Sequence, residues 1–277
     1  MVWMERTRVL EELIGSFDRV VVAFSGGVDS TYLAAVAHRA LGERAEAITG
    51  LSPSVPEAER DEAIALAKQI GIRHRLIETH EMERPGYVEN SPMRCFHCKD
   101  ELYGLLGAIA AEANGAVVVD GTNADDVGDW RPGRKAAELH GVRSPLLETG
   151  FTKAEIREAS LKLGLPTWDK PAMACLASRI PHGTPVTVGA LDQVGAAEAV
   201  LRAVGMRQVR VRHHGEIARI ETDAAGLELA MVAATRERIV GRLQSLGFRY
   251  VTLDLGGYRQ GNMNAAGTEG DATVPTP

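Results

Sequence analysis

The residues best suited to chemistry near the start of the chain form one short turn, Ser25-Gly26-Gly27-Val28-Asp29-Ser30. An apolar, mostly β-branched run from Val20 to Phe24 precedes it, and helix-forming residues follow from Tyr32 to Ala40. This order predicts a buried parallel strand, a tight turn and a helix N-terminus. Free backbone N–H groups at such a turn bind anions, and the glycines let a phosphate approach the backbone closely. Asp29 is well placed to hold a magnesium ion against that phosphate.

A second polar turn follows another apolar run, Ala116 to Asp120. Its candidate ligand-binding residues are Gly121, Thr122, Asn123 and Asp125. Parallel strands bind ligands at their carboxyl ends, so this turn is expected to face the same ligand as the first one. Asp125 is then a candidate second magnesium ligand, although the segment alone is equally typical of an ordinary polar turn.

The chain has three cysteines, Cys95, Cys98 and Cys175. An odd number in a reducing compartment favours metal binding or reactive thiol chemistry over a disulfide framework. Three thiolates could hold zinc with His97 or His182 as the fourth ligand. Alternatively, the C-x-x-C pair is a redox site and Cys175 acts separately.

A pattern with a period of two residues runs from Gln208 to Glu221 and is interrupted at Gly215, which predicts two short strands. Arg210, Arg212 and His214 then share one face. Guanidinium groups bind phosphates and carboxylates through paired hydrogen bonds, so this face could bind an anionic substrate. The alternative is a solvated strand surface on which the arginines pair with glutamates.

Strands and helices alternate through the first two-thirds of the chain, which predicts an α/β fold with a doubly wound, mostly parallel sheet. The predicted strands span 20–24, 45–51, 74–77 and 116–120, and the predicted helices span 5–17, 57–70 and 99–113. The C-x-x-C pair is predicted to lie in the loop 90–98, before the helix 99–113. The segment 51–54 is expected beside the first turn, where such sheets bind adenine.

After residue 183 the pattern changes, and we place a domain boundary there. The first predicted domain spans 1–183, and a smaller α+β domain spans 184–262. The smaller domain is predicted to contain helices over 189–204 and 231–246 and a last strand over 250–255. A disordered tail is predicted at 263–277.

Composition bounds the function. The 277 residues are 45% hydrophobic and 25% charged, as in ordinary globular proteins, and the net charge of −6 disfavours binding of a long nucleic acid. An apolar signal segment and an 18-residue apolar run are both missing from the sequence. A cytoplasmic protein without membrane association is therefore expected.

The string Ser25 to Ser30 resembles the pyrophosphate loop (PP-loop) of the N-type ATP pyrophosphatases, which split ATP between the α and β phosphates and adenylate a substrate oxygen. The chain as a whole resembles the LarE family of ATP-dependent sulfur transferases, which build the nickel-pincer nucleotide cofactor of lactate racemase. The segments that carry this resemblance are Ser25 to Ser30, Gly121 to Gly133, Cys175 to Gly183, Val209 to Glu221 and Asp254 to Arg259.

The resemblance implies a substrate, pyridinium-3,5-biscarboxylic acid mononucleotide, and a reaction in two parts. ATP would adenylate a carboxylate with loss of pyrophosphate, and a sulfur nucleophile would displace AMP to leave a thiocarboxylate. Asp29, Cys175 and Arg179 would be catalytic, with Arg179 neutralising phosphate charge. The residues expected to bind the substrate are Arg210, Arg212, Arg259 and, less directly, Glu198 and Glu221.

The source of the sulfur divides the family. In one subgroup, which lacks the C-x-x-C pair, the cysteine at the position of Cys175 gives up its own sulfur and becomes dehydroalanine. This chain looks like the second subgroup, in which three cysteines hold a [4Fe–4S] cluster whose fourth iron is open to an extra sulfide. Cys95, Cys98 and Cys175 would be its ligands, and sulfide or a sulfur donor would be a partner. The family also implies a homo-oligomer, either a trimer or a hexamer built from trimers.

Other functions share the PP-loop. A tRNA thiolase would need a basic RNA-binding surface, which the acidic composition does not favour. An ammonia-dependent ligase of the NAD- or GMP-synthetase kind needs no cysteine triad. An ATP sensor without chemistry leaves the cysteines and Arg179 unexplained.

Overall fold

The computed structural model of the chain describes residues 2–127, 132–171 and 174–259. The α-helices are α1 (Val2–Gly15), α2 (Val28–Leu41), α3 (Glu57–Ile70), α4 (Pro85–Val88), α5 (Arg94–Glu112), α6 (Pro132–Leu139), α7 (Pro145–Glu148), α8 (Lys153–Lys162), α9 (Val188–Ala203), α10 (Ala224–Met231) and α11 (Ala233–Ser245). The strands are β1 (Val20–Ala23), β2 (Ala45–Leu51), β3 (Arg73–Glu78), β4 (Val117–Val119), β5 (Val209–His214), β6 (Ile217–Thr222) and β7 (Tyr250–Leu253).

The chain divides into two compact units, unit 1 (Met1–Met173) and unit 2 (Ala174–Pro277). The sequence places the boundary at residue 183, ten residues later. Residues 176–180 belong to unit 2 because the short 3-10 helix Leu176–Arg179 packs on α9 and β5. The predicted tail at 263–277 lies outside the described residues.

Unit 1 contains the predicted parallel sheet, with the strand order β3-β2-β1-β4. Val22 in β1 pairs with Ala47 in β2 on one side and with Val119 in β4 on the other. The chain moves outward from β1 to β3 and then returns to β4 on the opposite side of β1. The sheet therefore reverses its order at β1 and β4, and ligands of such sheets bind at the carboxyl ends of strands beside this point.

Helices cover both faces of the sheet, which confirms the α/β class. Val20 and Val22 pack with α1, α2 and α8, whereas Val21 packs with α5 and α6 on the opposite face. The alternation follows from the pleat of a strand, in which successive side chains point to opposite faces. β1 is apolar on both faces because both are buried.

Unit 2 has a three-stranded sheet in the order β5-β6-β7, antiparallel between β5 and β6 and parallel between β6 and β7. α9 and α11 cover one face through a core that includes Leu201, Val211, Ile220 and Leu243. The predicted hairpin at Gly215 is confirmed, and Gly215 has a φ of +63°.

Several element ends are shifted by a few residues from the sequence prediction, and two differences change how a segment is interpreted. α5 begins at Arg94, so Cys95 and Cys98 lie in its first two turns and not in a loop. Pro92 ends the preceding segment, and the next ten residues contain neither glycine nor proline. The helix predicted over 231–246 is observed as α11, which begins two residues later because Val232 has an extended conformation; the sequence did not predict α10, which ends at Met231. None of the described helices is long and apolar enough to cross a membrane.

Candidate functional site

The PP-loop joins β1 to α2 and is folded back on itself by two hydroxyl groups. The Oγ atoms of Ser25 and Ser30 lie 3.1 Å apart, and the backbone N–H of Ser25 donates to Ser30 Oγ at 3.2 Å. Gly27, the N-cap of α2, has an extended conformation, and its N–H lies 3.4 Å from Ser25 Oγ. The loop thus gathers its N–H groups at the positive end of the α2 dipole, which suits a phosphate.

Gly26 brings the loop unusually close to α3. Its φ is +67°, and a Cβ atom there would lie 3.2 Å from Ala63 Cβ and 3.3 Å from Ala63 Cα. The ammonium of Lys170 donates to the Gly26 carbonyl oxygen at 3.0 Å and to Glu62 Oε2 at 2.8 Å. The loop is therefore fixed by a left-handed glycine, by contact with α3 and by one lysine.

Asp29 lies in the first turn of α2 and contacts the second predicted turn. Asn123 Nδ2 donates to Asp29 Oδ1 at 3.4 Å, and the Lys153 ammonium forms an ion pair with Asp29 Oδ2. The backbone N–H of Lys153 donates to Asp125 Oδ2 at 2.8 Å. Both candidate magnesium ligands therefore contact Lys153, which begins α8.

Gly121 allows the two turns to approach this closely. A Cβ atom on Gly121 would lie 3.0 Å from the backbone nitrogen of Ser30 and 3.1 Å from Asp29 Cβ. The structure thus brings the predicted nucleotide-binding residues of both turns together at the carboxyl edge of the sheet.

Asp120, at the end of β4, shapes the second turn. Its Oδ1 accepts from the Thr122 N–H at 3.1 Å and from Ser144 Oγ at 2.7 Å. Its Oδ2 accepts from Thr122 Oγ1 at 3.0 Å and from the Tyr103 hydroxyl at 2.8 Å. Burial raises the pKa of Tyr103, so this hydroxyl stays a donor to the buried carboxylate. Four donors saturate Asp120 and hold Thr122 against it.

The donor set around Asp29 suits magnesium. Asp29 and Asp125 supply carboxylate oxygens, and the Asp29 side chain is 22% exposed. Proteins usually hold Mg²⁺ by one or two carboxylates together with substrate phosphates. The residues present therefore fit a magnesium ion brought in with a nucleotide.

The predicted adenine end lies at the carboxyl end of β2. Ser52 and Ser54 share a hydrogen bond of 2.8 Å between their Oγ atoms, and Ser52 Oγ donates to Glu81. Glu81 is 1% exposed, and its Oε2 has no hydrogen-bond partner among the described residues. This buried polar cluster at the end of β2 is consistent with the adenine prediction, which stays a prediction.

Cys95 and Cys98 lie three residues apart in the first two turns of α5, so their side chains lie on one helix face. All three cysteines of the chain are thiols without a disulfide, and Cys95 is exposed. Thiolates are favoured near a helix N-terminus, and they are the usual ligands of iron–sulfur clusters. Cys95 and Cys98 belong to unit 1 and Cys175 to unit 2; the described residues contain no group of three or more His, Cys, Asp or Glu side chains arranged around a metal position.

Cys175 precedes the short helix Leu176–Arg179 in unit 2, and the Arg179 side chain holds its backbone. Nη1 of Arg179 donates to the carbonyl oxygens of Ala174 at 2.5 Å and Cys175 at 3.1 Å. Nε and Nη2 donate to the two oxygens of Glu198, at 2.8 and 3.0 Å. This geometry gives Arg179 a positioning role toward Cys175, while its role toward phosphate stays a prediction.

The arginine face of β5 is buried, not solvated. Arg210 and Arg212 are each 6% exposed. Arg212 donates to Glu221 Oε2 from both Nε and Nη2, at 3.0 and 2.7 Å, and the guanidinium of Arg210 lies 5.3 Å from the ring centroid of Tyr258. Burial and, after it, the Arg179 cation lower the pKa of Arg210. Such a concentration of positive charge within a low-dielectric region favours an anion.

Arg259 is exposed, and its predicted part in substrate binding stays a prediction. Glu198 and Glu221 are both fully buried and pair with arginines, Glu198 with Arg179 and Glu221 with Arg212. Their predicted part in substrate binding stays a prediction.

A protein of Lactiplantibacillus plantarum named pyridinium-3,5-bisthiocarboxylic acid mononucleotide synthase is 41% identical to this chain over 247 residues, which are 89% of each sequence. The chain belongs to the LarE family. An uncharacterised Synechocystis protein is 46% identical over 92% of this chain and 95% of its own length. An uncharacterised protein of Methanocaldococcus jannaschii is 28% identical over 87% of this chain and 91% of its own length.

The NAD synthase family model matches residues 3–90, the part of this LarE family member that contains the PP-loop and β1 to β3. The matched region holds three of the four strands of the parallel sheet and the anion-binding turn that follows β1. Together the two comparisons identify an enzyme, an ATP-dependent sulfur transferase.

Sequence reasoning missed two lysines of this LarE family member. Neither lysine belongs to a motif identified in the sequence: Lys153 begins α8 directly after its N-cap Thr152, and Lys170 precedes Pro171. Both contact the PP-loop region from segments far along the chain, Lys153 at Asp29 and Lys170 at Gly26. Their signal in the sequence is weak because a lone lysine near a helix start is common.

Proposed function

We propose that this protein activates the carboxylates of pyridinium-3,5-biscarboxylic acid mononucleotide with ATP and converts them to thiocarboxylates. The observation that carries the proposal is the 41% identity, over 89% of both chains, to a protein named for the bisthiocarboxylic acid product. The PP-loop geometry supports the ATP half, and the buried arginines of β5 support an anionic substrate.

In the first half-reaction a substrate carboxylate oxygen attacks the α-phosphorus of ATP, and pyrophosphate leaves. The PP-loop N–H groups between Ser25 and Ser30 bind the phosphates, with Gly121, Thr122 and Asn123 on the opposite side. Asp29 and Asp125 would hold a magnesium ion, which supplies charge neutralisation when bound. Arg210, Arg212 and Arg259 bind the substrate phosphate and the second carboxylate.

In the second half-reaction a sulfur nucleophile attacks the acyl carbon of the adenylate, and AMP leaves with the former carboxylate oxygen. We propose that Cys95, Cys98 and Cys175 hold a [4Fe–4S] cluster, which would supply that sulfur when bound. Arg179 keeps the backbone of Cys175 in place. We also propose that the protein forms a homo-oligomer, which the family resemblance alone supports.

A second candidate keeps the same first half-reaction but takes the sulfur from Cys175 itself. It is favoured by one observation: Cys95 and Cys98 lie in unit 1 and Cys175 lies in unit 2, so neither unit by itself holds three cysteines. In that case Cys175 would lose its sulfur and turnover would stop after one transfer.

The test is anaerobic purification with iron and sulfide analysis, followed by turnover assays on Cys95→Ser, Cys98→Ser and Cys175→Ser. About four irons and four sulfides per chain, and loss of multiple turnover in every variant, are expected. Pyrophosphate release with the pyridinium substrate should survive in the cysteine variants and be lost in Asp29→Ala. Multiple turnover by Cys95→Ser would overturn the cluster, and pyrophosphate release without the substrate would overturn the adenylation.

A further inference from the structure

The peptide between Gly26 and Gly27 is the part of the PP-loop with the fewest steric restraints of its own. Gly26 has a φ of +67°, and Gly27 is extended, with a φ of −79° and a ψ of 170°. Rotation of this peptide plane changes the ψ of Gly26 and the φ of Gly27, which glycine varies at little cost because it has no Cβ atom. The two residue types therefore leave the plane free to turn over unless another group holds it.

Lys170 holds this plane by its carbonyl group. The Lys170 ammonium donates to the Gly26 carbonyl oxygen at 3.0 Å and to Glu62 Oε2 on α3 at 2.8 Å, and the Lys170 side chain is 12% exposed. The peptide is trans, so its C=O and N–H bonds point in opposite directions. An ammonium that fixes the Gly26 carbonyl therefore also fixes the Gly27 N–H, which points away from it.

The Gly27 N–H points to the side of the loop that suits an anion. Its nitrogen lies 3.4 Å from Ser25 Oγ, which lies 3.1 Å from Ser30 Oγ, and Gly27 is the N-cap of α2. Hydroxyl groups and a helix N-terminus are the groups that face a bound phosphate. A cation on the carbonyl oxygen also polarises the amide, which makes the N–H a stronger donor.

The backbone that carries Lys170 is itself anchored to α8. Arg157 donates from Nη1 to the Trp168 carbonyl oxygen at 2.6 Å and from Nη2 to the Lys170 carbonyl oxygen at 2.7 Å. The Lys170 N–H donates to the Thr167 carbonyl oxygen at 3.0 Å. The side chain is thus held at both ends, by backbone contacts at its origin and by two acceptors at its ammonium.

We propose that Lys170 is a positioning residue for the PP-loop, which holds the Gly26 carbonyl and so orients the Gly27 N–H toward the pyrophosphate part of ATP. Lys170 stays on Gly26 and Glu62 when the nucleotide binds, and its ammonium does not contact phosphate. The effect of Lys170 on phosphate binding therefore passes through one peptide group. This inference rests on the proposed function, since it takes ATP as the nucleotide.

The peptide can be observed by itself because the sequence contains two Gly-Gly pairs, Gly26-Gly27 and Gly256-Gly257. In protein labelled with carbonyl-¹³C glycine and ¹⁵N glycine, a carbonyl-to-nitrogen correlation spectrum contains signals from these two peptides. Each signal reports one glycine carbonyl and the N–H that follows it. Gly256→Ala removes the second signal and so assigns the first.

The experiment compares Lys170→Met, Lys170→Arg and Lys68→Met with the wild type in the full-length protein. Lys68 is exposed on α3, so its replacement removes the same charge without touching the loop. Spectra are recorded without nucleotide, and dissociation constants of pyrophosphate, ATP and AMP are measured by calorimetry. Lys170→Gln, which has a shorter and uncharged side chain, repeats the test if Lys170→Met does not fold.

In Lys170→Met we expect the Gly26-Gly27 signal to move and the Gly256-Gly257 signal to stay. Pyrophosphate and ATP should bind about tenfold more weakly, because one backbone donor is no longer oriented, while the affinity for AMP should change by less than about threefold. Lys170→Arg keeps a charged donor and should recover most of the lost affinity. Lys68→Met should match the wild type in every measurement.

A Gly26-Gly27 signal that does not move in Lys170→Met would overturn the proposal, and weaker pyrophosphate binding in that case would mean that the ammonium contacts phosphate directly. A displaced signal without any loss of pyrophosphate affinity would overturn it as well. Wild-type protein that binds neither pyrophosphate nor ATP would instead overturn the proposed function, and the spectra without nucleotide would still decide whether Lys170 holds the peptide.

Discussion

Arg179 and Glu198 form an ion pair that lies entirely inside unit 2, with side chains 1% and 0% exposed. Two parallel hydrogen bonds of 2.8 and 3.0 Å join them. Buried charges persist only when their remaining donors and acceptors are also satisfied. Arg179 Nη1 meets that condition through the carbonyls of Ala174 and Cys175, so the pair ties the Cys175 backbone to α9.

Glu198→Gln should therefore lower the free energy of unfolding by about 3–5 kcal/mol, because it leaves the Arg179 charge buried without a counter-ion. Urea denaturation measures the change. Arg202→Ala is the matched control, since Arg202 contacts the same Glu198 Oε2 at 3.0 Å but is 35% exposed, and it should cost no more than about 1 kcal/mol. Equal losses of unfolding free energy in the two variants would contradict the expectation that the buried Arg179–Glu198 pair matters more than the exposed Arg202 contact.

Gly26→Ala should destabilise the protein and prevent ATP binding. The left-handed φ of +67° costs a residue with a Cβ about 1–2 kcal/mol, and contact with Ala63 adds to this. Gly15→Ala, at the end of α1 where a Cβ meets nothing within 4 Å, should be neutral or slightly stabilising. Thermal melting and ATP calorimetry on both variants check the prediction, and an ATP-binding Gly26→Ala protein would show that the loop tolerates another conformation.

Asp120→Asn should weaken ATP binding through Thr122. The amide nitrogen of the new asparagine cannot accept a hydrogen bond, so the two donors to one of the Asp120 oxygens lose their acceptor. Leaving these buried donors unsatisfied costs about 1–3 kcal/mol. Tyr103→Phe removes one donor from the same carboxylate without touching Thr122, and should cost about 1 kcal/mol of stability with a smaller effect on ATP affinity. The same loss of ATP affinity in both would exclude Thr122 as the cause.

Stability should fall as the pH drops below about 6.5. Burial lowers the pKa values of His74, His213 and His214, so the unfolded chain binds protons more readily than the folded chain in this window. The stability is therefore complete above the unfolded pKa near 6.5 and declines as the pH falls toward the lower folded pKa values. Melting temperatures between pH 7.5 and 5.5 test this.

His74→Asn should flatten part of that slope. His74 Nε2 lies 2.9 Å from Thr49 Oγ1, which itself donates to the Phe24 carbonyl just before the PP-loop, so the hydroxyl accepts from the ring. Melting temperatures of the wild type that do not change from pH 6.5 to 5.5 would show that burial does not hold these imidazoles neutral.

Local sequence determined the nucleotide-binding half of the protein. The apolar run before Ser25 and the glycines after it predict a strand, a turn and a helix, because burial on both faces and positive φ values restrict residue types strongly. The α/β class and the bounds of β2 and α3 are confirmed for the same reason. The site residues of unit 2 and the cysteine ligands stay predictions.

Tertiary structure alone decided which charged groups meet. Lys153 reaches Asp29 across 124 positions of sequence, and Lys170 reaches Gly26 across 144, through segments that the sheet brings to one edge. Spacing on β5 predicted that Arg210 and Arg212 share a face, but only packing could show that this face is buried. The physical reason is that periodicity encodes the direction of a side chain within its own element, whereas its partner depends on where the rest of the chain folds.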